Sequence, residues 1–365
     1  MKNLKLIGFI LSLLILINSA KGTGVDKKIK ESKEIINKLM EEKHIVGLSI
    51  TILKDGNTLW SEGFGYADLE NQIKVDPGKT MFRIGSVSKS FTATALACLY
   101  QEGKVDMNAE IHQYVPYFPQ KKYPIAVKQL AGHMGGIRHY SSDPNDYYNS
   151  KRYKSIKDAM DFFKDDSLIY KPGEGYKYSS FGFTLLAGVI EGASSENYLD
   201  CVKKEIFDKV GMQHTRPDFV DSIIVGRSGC YEFDSISNKI INTKYVDNSY
   251  KWPGGGFLST SEDIAKFAWA FQSDKIVNDT IRLQFITSKI LANGKPTNYG
   301  MGWTAISKNK SGIMNYGHGG TAVGGKASMH IFPDQNIVIA IAYNTWNAKG
   351  AREAFETIMN IFTKE

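Results

Sequence analysis

The stretch Thr80-Met81-Phe82-Arg83-Ile84-Gly85-Ser86-Val87-Ser88-Lys89-Ser90-Phe91 passes from an extended segment into a helix. Val87, Phe91, Ala95, Cys98 and Leu99 recur at helical spacing and mark a buried face, and Gly103 supplies the stop. Ser86 is thereby placed at the first turn, where backbone N–H groups lack intrahelical partners and favour developing negative charge. Lys89, three residues on, lies on the same side of the helix. A serine hydroxyl is a poor nucleophile without a nearby base. A lysine can be that base only when neutral, a state that burial favours. The Ser-x-x-Lys tetrad alone is a weak signal, because a second copy, Ser307-Lys308-Asn309-Lys310, sits in a polar, turn-like stretch. Only the copy at Ser86 joins a strand-like segment to an amphipathic helix.

Outward from this junction, the two ends of the chain carry matching patterns. A helix with Ile29, Ile36, Leu39 and Met40 on one face leads into a hairpin of 46–53 and 58–64, with Asp55-Gly56 at its turn. Near the other end, 327–332 and 337–343 flank Pro333-Asp334-Gln335-Asn336, and a closing helix presents Phe355, Ile358, Met359 and Phe362. These patterns predict an α+β fold: one antiparallel sheet built from both chain ends and flanked by helices, with an inserted, mainly helical region. The expected division is a sheet subdomain over 25–84 and 221–365 and a helical subdomain over 85–220, with chemistry in the cleft between them.

The chain has 365 residues, 42% hydrophobic and 23% charged, a globular composition. Lys2 and Lys5 precede an apolar run from Leu6 to Ile17 and then Asn18-Ser19-Ala20. The run is short of the roughly 20 residues that span a bilayer, and it reads as a signal peptide over 1–20, so the mature protein is expected to be exported, periplasmic or secreted. An uncleaved N-terminal anchor is the alternative. Loss of those two lysines takes the formal charge from +7 to +5. The remaining lysines are interleaved with acids, as in Lys27-Lys28-Ile29-Lys30-Glu31, which argues for a solvated helix face and against a nucleic-acid partner. Cys98, Cys201 and Cys230 are too few and too scattered for a zinc site or a disulfide framework, although a single Cys201–Cys230 bridge is conceivable. No motif for a cofactor or a metal is found. Gly254-Gly255-Gly256 lacks the lysine of a phosphate loop and reads as a tight backbone passage near the cleft. Ser259 with Glu262 reads as a helix capping box.

Three ordered blocks give the chain a resemblance to the serine β-lactamase and penicillin-binding family, of the class C β-lactamase and D,D-peptidase type. They are Ser86-Val87-Ser88-Lys89, Tyr178-Ser179-Ser180 ahead of an apolar helix, and His318-Gly319-Gly320 on a strand-like segment. Supporting stretches are Leu130 to Ile137, Tyr299-Gly300-Met301-Gly302-Trp303, and Tyr245 to Leu258, the last of which looks most like the mitochondrial branch found in animals. The resemblance runs from about residue 30 to 362. It implies a serine hydrolase that forms an acyl-enzyme on Ser86, with Lys89 and Tyr178 sharing the proton transfers and His318 assisting. It also implies an oxyanion hole made by the backbone N–H groups of Ser86 and Thr321, and substrate contacts at Ser180, Gly319 and Gly320. Which of Lys89 and Tyr178 is the base stays open. His133 and His139, tempting as triad bases, fall in a block that the resemblance makes structural.

Two positions depart from the family pattern. Ser180 stands where Asn is common, and Gly319 where Thr is common. Both changes remove groups that would hydrogen-bond an acylamido or carboxylate substrate, so an esterase or peptidase acting on other small-molecule or peptide acyl substrates is expected ahead of an efficient β-lactamase. A catalytically weak member acting as a binding or scaffolding protein is the competing reading. An α/β-hydrolase is disfavoured by the lack of a Gly-x-Ser-x-Gly elbow, and a metal hydrolase by the lack of a His-x-x-x-His pair.

Overall fold

A computed structural model describes residues 24–364. The expected signal segment, 1–20, lies outside the described residues. The described chain divides into two compact units, one joining the segment up to His44 with Lys349 onward, the other Ile45–Ala348. In the first unit, α1 (24–42) buries Ile36 and Leu39, and α10 (Ala351–Thr363) buries Phe355, Ile358, Met359 and Phe362. Both are amphipathic helices with charged outer faces.

The second unit is built on a seven-stranded antiparallel sheet in the order β3-β2-β1-β12-β11-β10-β9. Its strands are β1 (Gly47–Lys54), β2 (Asn57–Asp68), β3 (Ile73–Lys74), β9 (Ser307–Lys308), β10 (Met314–Ala322), β11 (Gly325–Phe332) and β12 (Ile337–Tyr343). Strands β1 and β12 are runs of apolar and small residues buried along almost their whole length, as strands at the centre of a sheet must be. They pair antiparallel, with Ile50 opposite Ile341, so residues nearly 300 apart in sequence meet at the sheet's middle. The Asp55-Gly56 turn has both residues at positive φ, 51° and 79°, the primed geometry that suits a two-residue hairpin. Strand β2 continues to Asp68, past the Phe64 end expected from alternation: it pairs with β1 as far as Gly65, and Tyr66 and Asp68 then pair with Lys74 and Ile73 of β3.

Between the two hairpins come the short strands β4 (Phe82–Arg83), β5 (Arg216–Pro217) and β8 (Phe257–Ser259), which form a small sheet, and the β6 (Tyr231–Asp234)–β7 (Lys239–Asn242) ribbon. The helices are α2 (Ser88–Gln101), α3 (Val127–Ala131), α4 (Ile156–Met160), α5 (Ser180–Ser194), α6 (Tyr198–Val202), α7 (Trp252–Gly255), α8 (Ser261–Gln272) and α9 (Asp279–Ile286). The fold is α+β, an antiparallel sheet flanked by helices, as the sequence predicts. Helix α2 is buried on every side from Ser88 to Leu99, so it forms the core of the unit rather than an amphipathic surface layer. Helix α8 packs on β1 and β12.

Two local expectations are corrected. The cap of α8 is Thr260, whose side chain accepts from the Asp263 N–H; Ser259 is the last residue of β8, and its hydroxyl pairs with Thr215 at 2.7 Å. Glu262 is drawn away from a capping box by Ser61, whose hydroxyl donates to it at 2.8 Å. All three cysteines are free thiols, with Cys98 and Cys201 buried. No helix among the described residues is long and apolar enough to cross a membrane.

Candidate active site

The junction around Ser86 is tighter than a simple strand-to-helix passage. Strand β4 ends at Arg83, Gly85–Val87 form a 3₁₀ turn, and α2 begins at Ser88, so Ser86 stands one turn ahead of the α-helix. Gly85 at φ 50° makes the sharp bend that a side chain would resist. The result leaves Ser86 half-exposed while its neighbours are buried. Lys89 is fully buried, and its amine reaches three oxygens: Ser86 Oγ at 3.2 Å, Ser180 Oγ at 2.9 Å and the Gly254 carbonyl at 2.5 Å. It also lies 4.8 Å from the Tyr178 ring centre and 5.6 Å from that of Phe183. Lys89 forms no ion pair among the described residues. Burial drives its amine far below the ordinary lysine range, and the charge of Lys251 pushes the same way.

Tyr178 precedes α5, and its hydroxyl pairs with the Ser86 side chain. Burial holds the phenol in its protonated form, well above the ordinary tyrosine range. The turn that presents Tyr178 is fixed by Ser179, whose hydroxyl accepts from Gly182 N–H at 2.9 Å and donates to the Arg138 carbonyl at 2.6 Å. Two histidines complete the clamp. His133 Nδ1 accepts the Ser179 N–H at 3.2 Å, and His139 Nδ1 accepts the Ser180 N–H at 3.1 Å. An imidazole nitrogen that accepts cannot carry the proton, so both rings are held as the Nε2–H tautomer. Burial keeps them neutral, lowering His139 to about 4 and holding His133 well below the ordinary histidine range. Neither nitrogen faces Ser86, and their work is to place the 178–180 turn.

His318 lies on β10, with its ring 6.3 Å from that of Tyr178. Its Nδ1 hydrogen-bonds the Gly319 carbonyl at 2.6 Å, so that nitrogen carries the hydrogen, and Nε2 accepts from the Tyr299 hydroxyl at 2.8 Å. Burial first, and then the charge of Lys89, lower its pKa to about 3, so the ring is a neutral dipole near the cleft. Strand β10 continues against the 3₁₀ turn. A Cβ on Gly320 would sit 1.9 Å from the Ile84 carbonyl and 2.7 Å from the Ser86 amide nitrogen, and one on Gly85 would sit 2.5 Å from the Thr321 amide nitrogen. Glycine at both positions is what lets the Ser86 and Thr321 amides come this close. Gly319 is exposed, with open space where a side chain would project.

The structure therefore brings Ser86, Lys89, Tyr178, Ser180, His318, Gly320 and Thr321 to one place. Ser180, read as a substrate contact, spends its hydroxyl on Lys89. The Gly254 segment is, as expected, a close backbone passage: a Cβ on Gly254 would meet the Ser180 carbonyl at 3.0 Å. Three neighbours carried no role in the sequence reading. Tyr299 anchors His318; Tyr140 pairs with Ser180 through its hydroxyl. Lys251 is buried beside the rings of Tyr147 and Tyr250, each 5.0 Å away, and burial lowers it to about 7, with Arg83 adding to the shift and Asp218 opposing it. A lysine between aromatics, Tyr250-Lys251-Trp252, was the available signal.

Residues 33–361 match the family model described as Beta-lactamase. The serine beta-lactamase-like protein LACTB, mitochondrial, of Mus musculus is 28% identical over 413 residues, covering 86% of this chain and 74% of that protein. Its Homo sapiens counterpart is 32% identical over 308 residues, covering 66% of this chain and 56% of that protein. The octameric penicillin-binding protein homologue from Pyrococcus abyssi superposes with a TM-score of 0.78 at 24% identity, covering 91% of this chain and 77% of that one. The chain spans about half to three quarters of these mammalian relatives. On a match that takes in nearly all of its described length, the chain belongs to the β-lactamase family of serine hydrolases.

Proposed function

We propose that the protein is an acyl-transfer hydrolase whose nucleophile is Ser86, acting on small-molecule or peptide esters and amides more readily than on β-lactams. The observation that carries this reading is the placement of a neutralised, buried Lys89 amine 3.2 Å from a half-exposed serine hydroxyl that also meets the Tyr178 phenol. Lys89 and Tyr178 take the Ser86 proton as Oγ attacks the substrate carbonyl, and return it to the leaving group. Negative charge on the carbonyl oxygen falls between the amides of Ser86 and Thr321, with Ser86 in the first positions of a 3₁₀ turn. His318, neutral and pinned by Tyr299, adds a fixed dipole beside Tyr178 and is not a proton carrier at neutral pH. Water then attacks the acyl-enzyme on Ser86 by the same proton route.

The weakened β-lactam recognition follows from Ser180 and Gly319. The first engages Lys89, and the second offers no hydroxyl to a substrate carboxylate. We further propose that the protein is exported through the 1–20 segment.

A fluorophosphonate probe tests the mechanism. Covalent labelling, seen as added mass on the peptide containing Ser86 and abolished in Ser86→Ala, is the expected result. Labelling that persists in Ser86→Ala overturns the assignment. Absence of both labelling and nitrophenyl-ester turnover in the folded protein would favour a binding role.

A further inference from the structure

Arg83 ends strand β4, three residues ahead of Ser86, and its side chain is only 11% exposed. Its guanidinium donates twice. Nε gives a hydrogen bond to Asp218 Oδ2 at 2.8 Å, and Nη1 gives one to the Val323 carbonyl at 2.8 Å. Val323 and Gly324 form the two-residue turn between β10 and β11, closed by the pairing of Ala322 with Gly325. Thr321, whose amide is the second proposed oxyanion donor, lies two residues before Val323. One side chain therefore joins the strand that leads into Ser86 to the hairpin end that carries Thr321.

The carboxylate behind this joint is itself fixed. Asp218 is fully buried; its Oδ2 also accepts from Asn248 Nδ2 at 2.9 Å, and its Oδ1 lies 3.7 Å from Arg227 Nε. Its backbone N–H donates to the Gly256 carbonyl at 2.9 Å, next to β8, where Leu258 pairs with Arg83. A buried ion pair is weak evidence of stabilisation, because the cost of desolvating both charges offsets their attraction. What such a pair supplies is direction. A planar guanidinium with one N–H committed to an immobile carboxylate aims its other N–H groups along fixed lines. The ladder between β10 and β11 fixes Thr321 relative to Lys326, and the Arg83 bond ties that hairpin to β4.

We propose that Arg83, aimed by Asp218, is a positioning residue for acyl transfer and holds the Ser86 and Thr321 amides at the separation an oxyanion requires. This rests on the reading of Ser86 as the nucleophile. Arg83 acts through the backbone at both of its ends, and its own donors are spent on Asp218 and Val323. Donors already in place stabilise developing charge without reorganising, so a misplacement of about 1 Å can cost about 10²-fold in rate.

The test uses Arg83→Met, Arg83→Lys, and Arg83→Met combined with Asp218→Asn, which removes both buried charges and serves if Arg83→Met fails to fold. Should neither methionine variant fold, Arg83→Lys carries the same comparison. With 4-nitrophenyl acetate, kcat/KM is expected to fall about 10²-fold in the methionine variants. Arg83→Lys should recover part of it, because an ammonium can reach one of the two oxygens but lacks the planar fork that serves both. The discriminating measurement is inhibition by 1,1,1-trifluoro-4-phenylbutan-2-one. Ser86 Oγ adds to the ketone carbon, its proton passes to Lys89 and Tyr178, and the ketone oxygen becomes an oxyanion between the two amides. The inhibition constant of the ketone should rise by the factor that kcat/KM falls, while that of 3-phenylpropanamide, which forms no oxyanion, stays within about twofold. Ketone inhibition unchanged in a folded variant, or weakened equally with amide binding, overturns the positioning role. Ketone inhibition that persists in Ser86→Ala overturns the nucleophile and the role of Arg83 with it. Loss in Ser86→Ala beside full retention in the Arg83 variants sinks the role of Arg83 alone.

Discussion

Lys89 and Lys251 are both buried, and neither makes an ion pair among the described residues. Burial lowers the pKa of both, and Lys89 also feels the charge of Lys251. Lys251 faces Tyr140, Tyr147 and Tyr250, and feels Arg83 and Asp218 at longer range, while Lys89 faces Ser86, Ser180, Tyr178 and the Gly254 carbonyl. With Lys251 lowered to about 7, it is cationic in mildly acidic solution, and there it opposes protonation of Lys89. Activity that requires a neutral Lys89 is present above the Lys89 pKa and lost as the pH falls through it. Replacing Lys251 by methionine removes the opposing charge and lets Lys89 hold its proton to higher pH. The acidic limb of the kcat/KM profile should therefore move upward in Lys251→Met and stay near its original place in Lys251→Arg. A limb that does not move, in a variant with normal fluorophosphonate labelling, would detach Lys251 from the site.

At the scale of elements, the decisive contact is between strand β10 and the 3₁₀ turn that holds Ser86. Gly320 lies so close to the turn that a methyl group at that position would fall 1.9 Å from the Ile84 oxygen. Gly320→Ala must therefore push β10 and the turn apart, moving the Ser86 and Thr321 amides out of register with one another. Loss of one such donor costs about 10²–10³ in kcat, so a drop of that size is expected while the protein still unfolds cooperatively. Retained kcat would show that the two amides do not act together.

This contact also shows what a sequence can and cannot disclose. The strands β1 and β12 and the helix after Ser86 are legible because their side chains repeat with the period of the element. The three ordered motifs are legible because chemistry limits which residue types serve at each place. The clamp by His133 and His139 is different. It depends on which ring nitrogen faces which backbone N–H, a relation that spans 46 and 41 positions and leaves no local pattern. The α8 cap lies one residue beyond the place the sequence suggests for a related reason: Ser259 and Thr260 are both residue types that cap helices, and the strand β8 claims the first. The partners of Tyr299 and Lys251 come likewise from distant segments.

Across the whole molecule, stability of the second unit concentrates where β1 meets β12. Ile50 and Ile341 are each fully buried and directly opposed there. Trimming Ile341 to alanine removes three carbon atoms from a site with strands on both sides and little freedom to collapse. The expected cost is about 2–5 kcal/mol, read as a lower urea midpoint with an unchanged slope. The same substitution should reduce activity only in proportion to the unfolded fraction, because no Ser86 partner is touched. A changed KM for a simple ester in the folded variant would contradict that separation.

The meeting of β1 and β12 also sets the timetable of assembly. A chain that emerges amino end first brings out Ser86, Lys89 and Tyr178 long before residues 318–343, yet β1 lacks its neighbour and the turn lacks β10 until those last strands arrive. The turn that carries Ser86 can therefore take up its contact with Gly320 only after the final hairpin has been made and has entered the sheet.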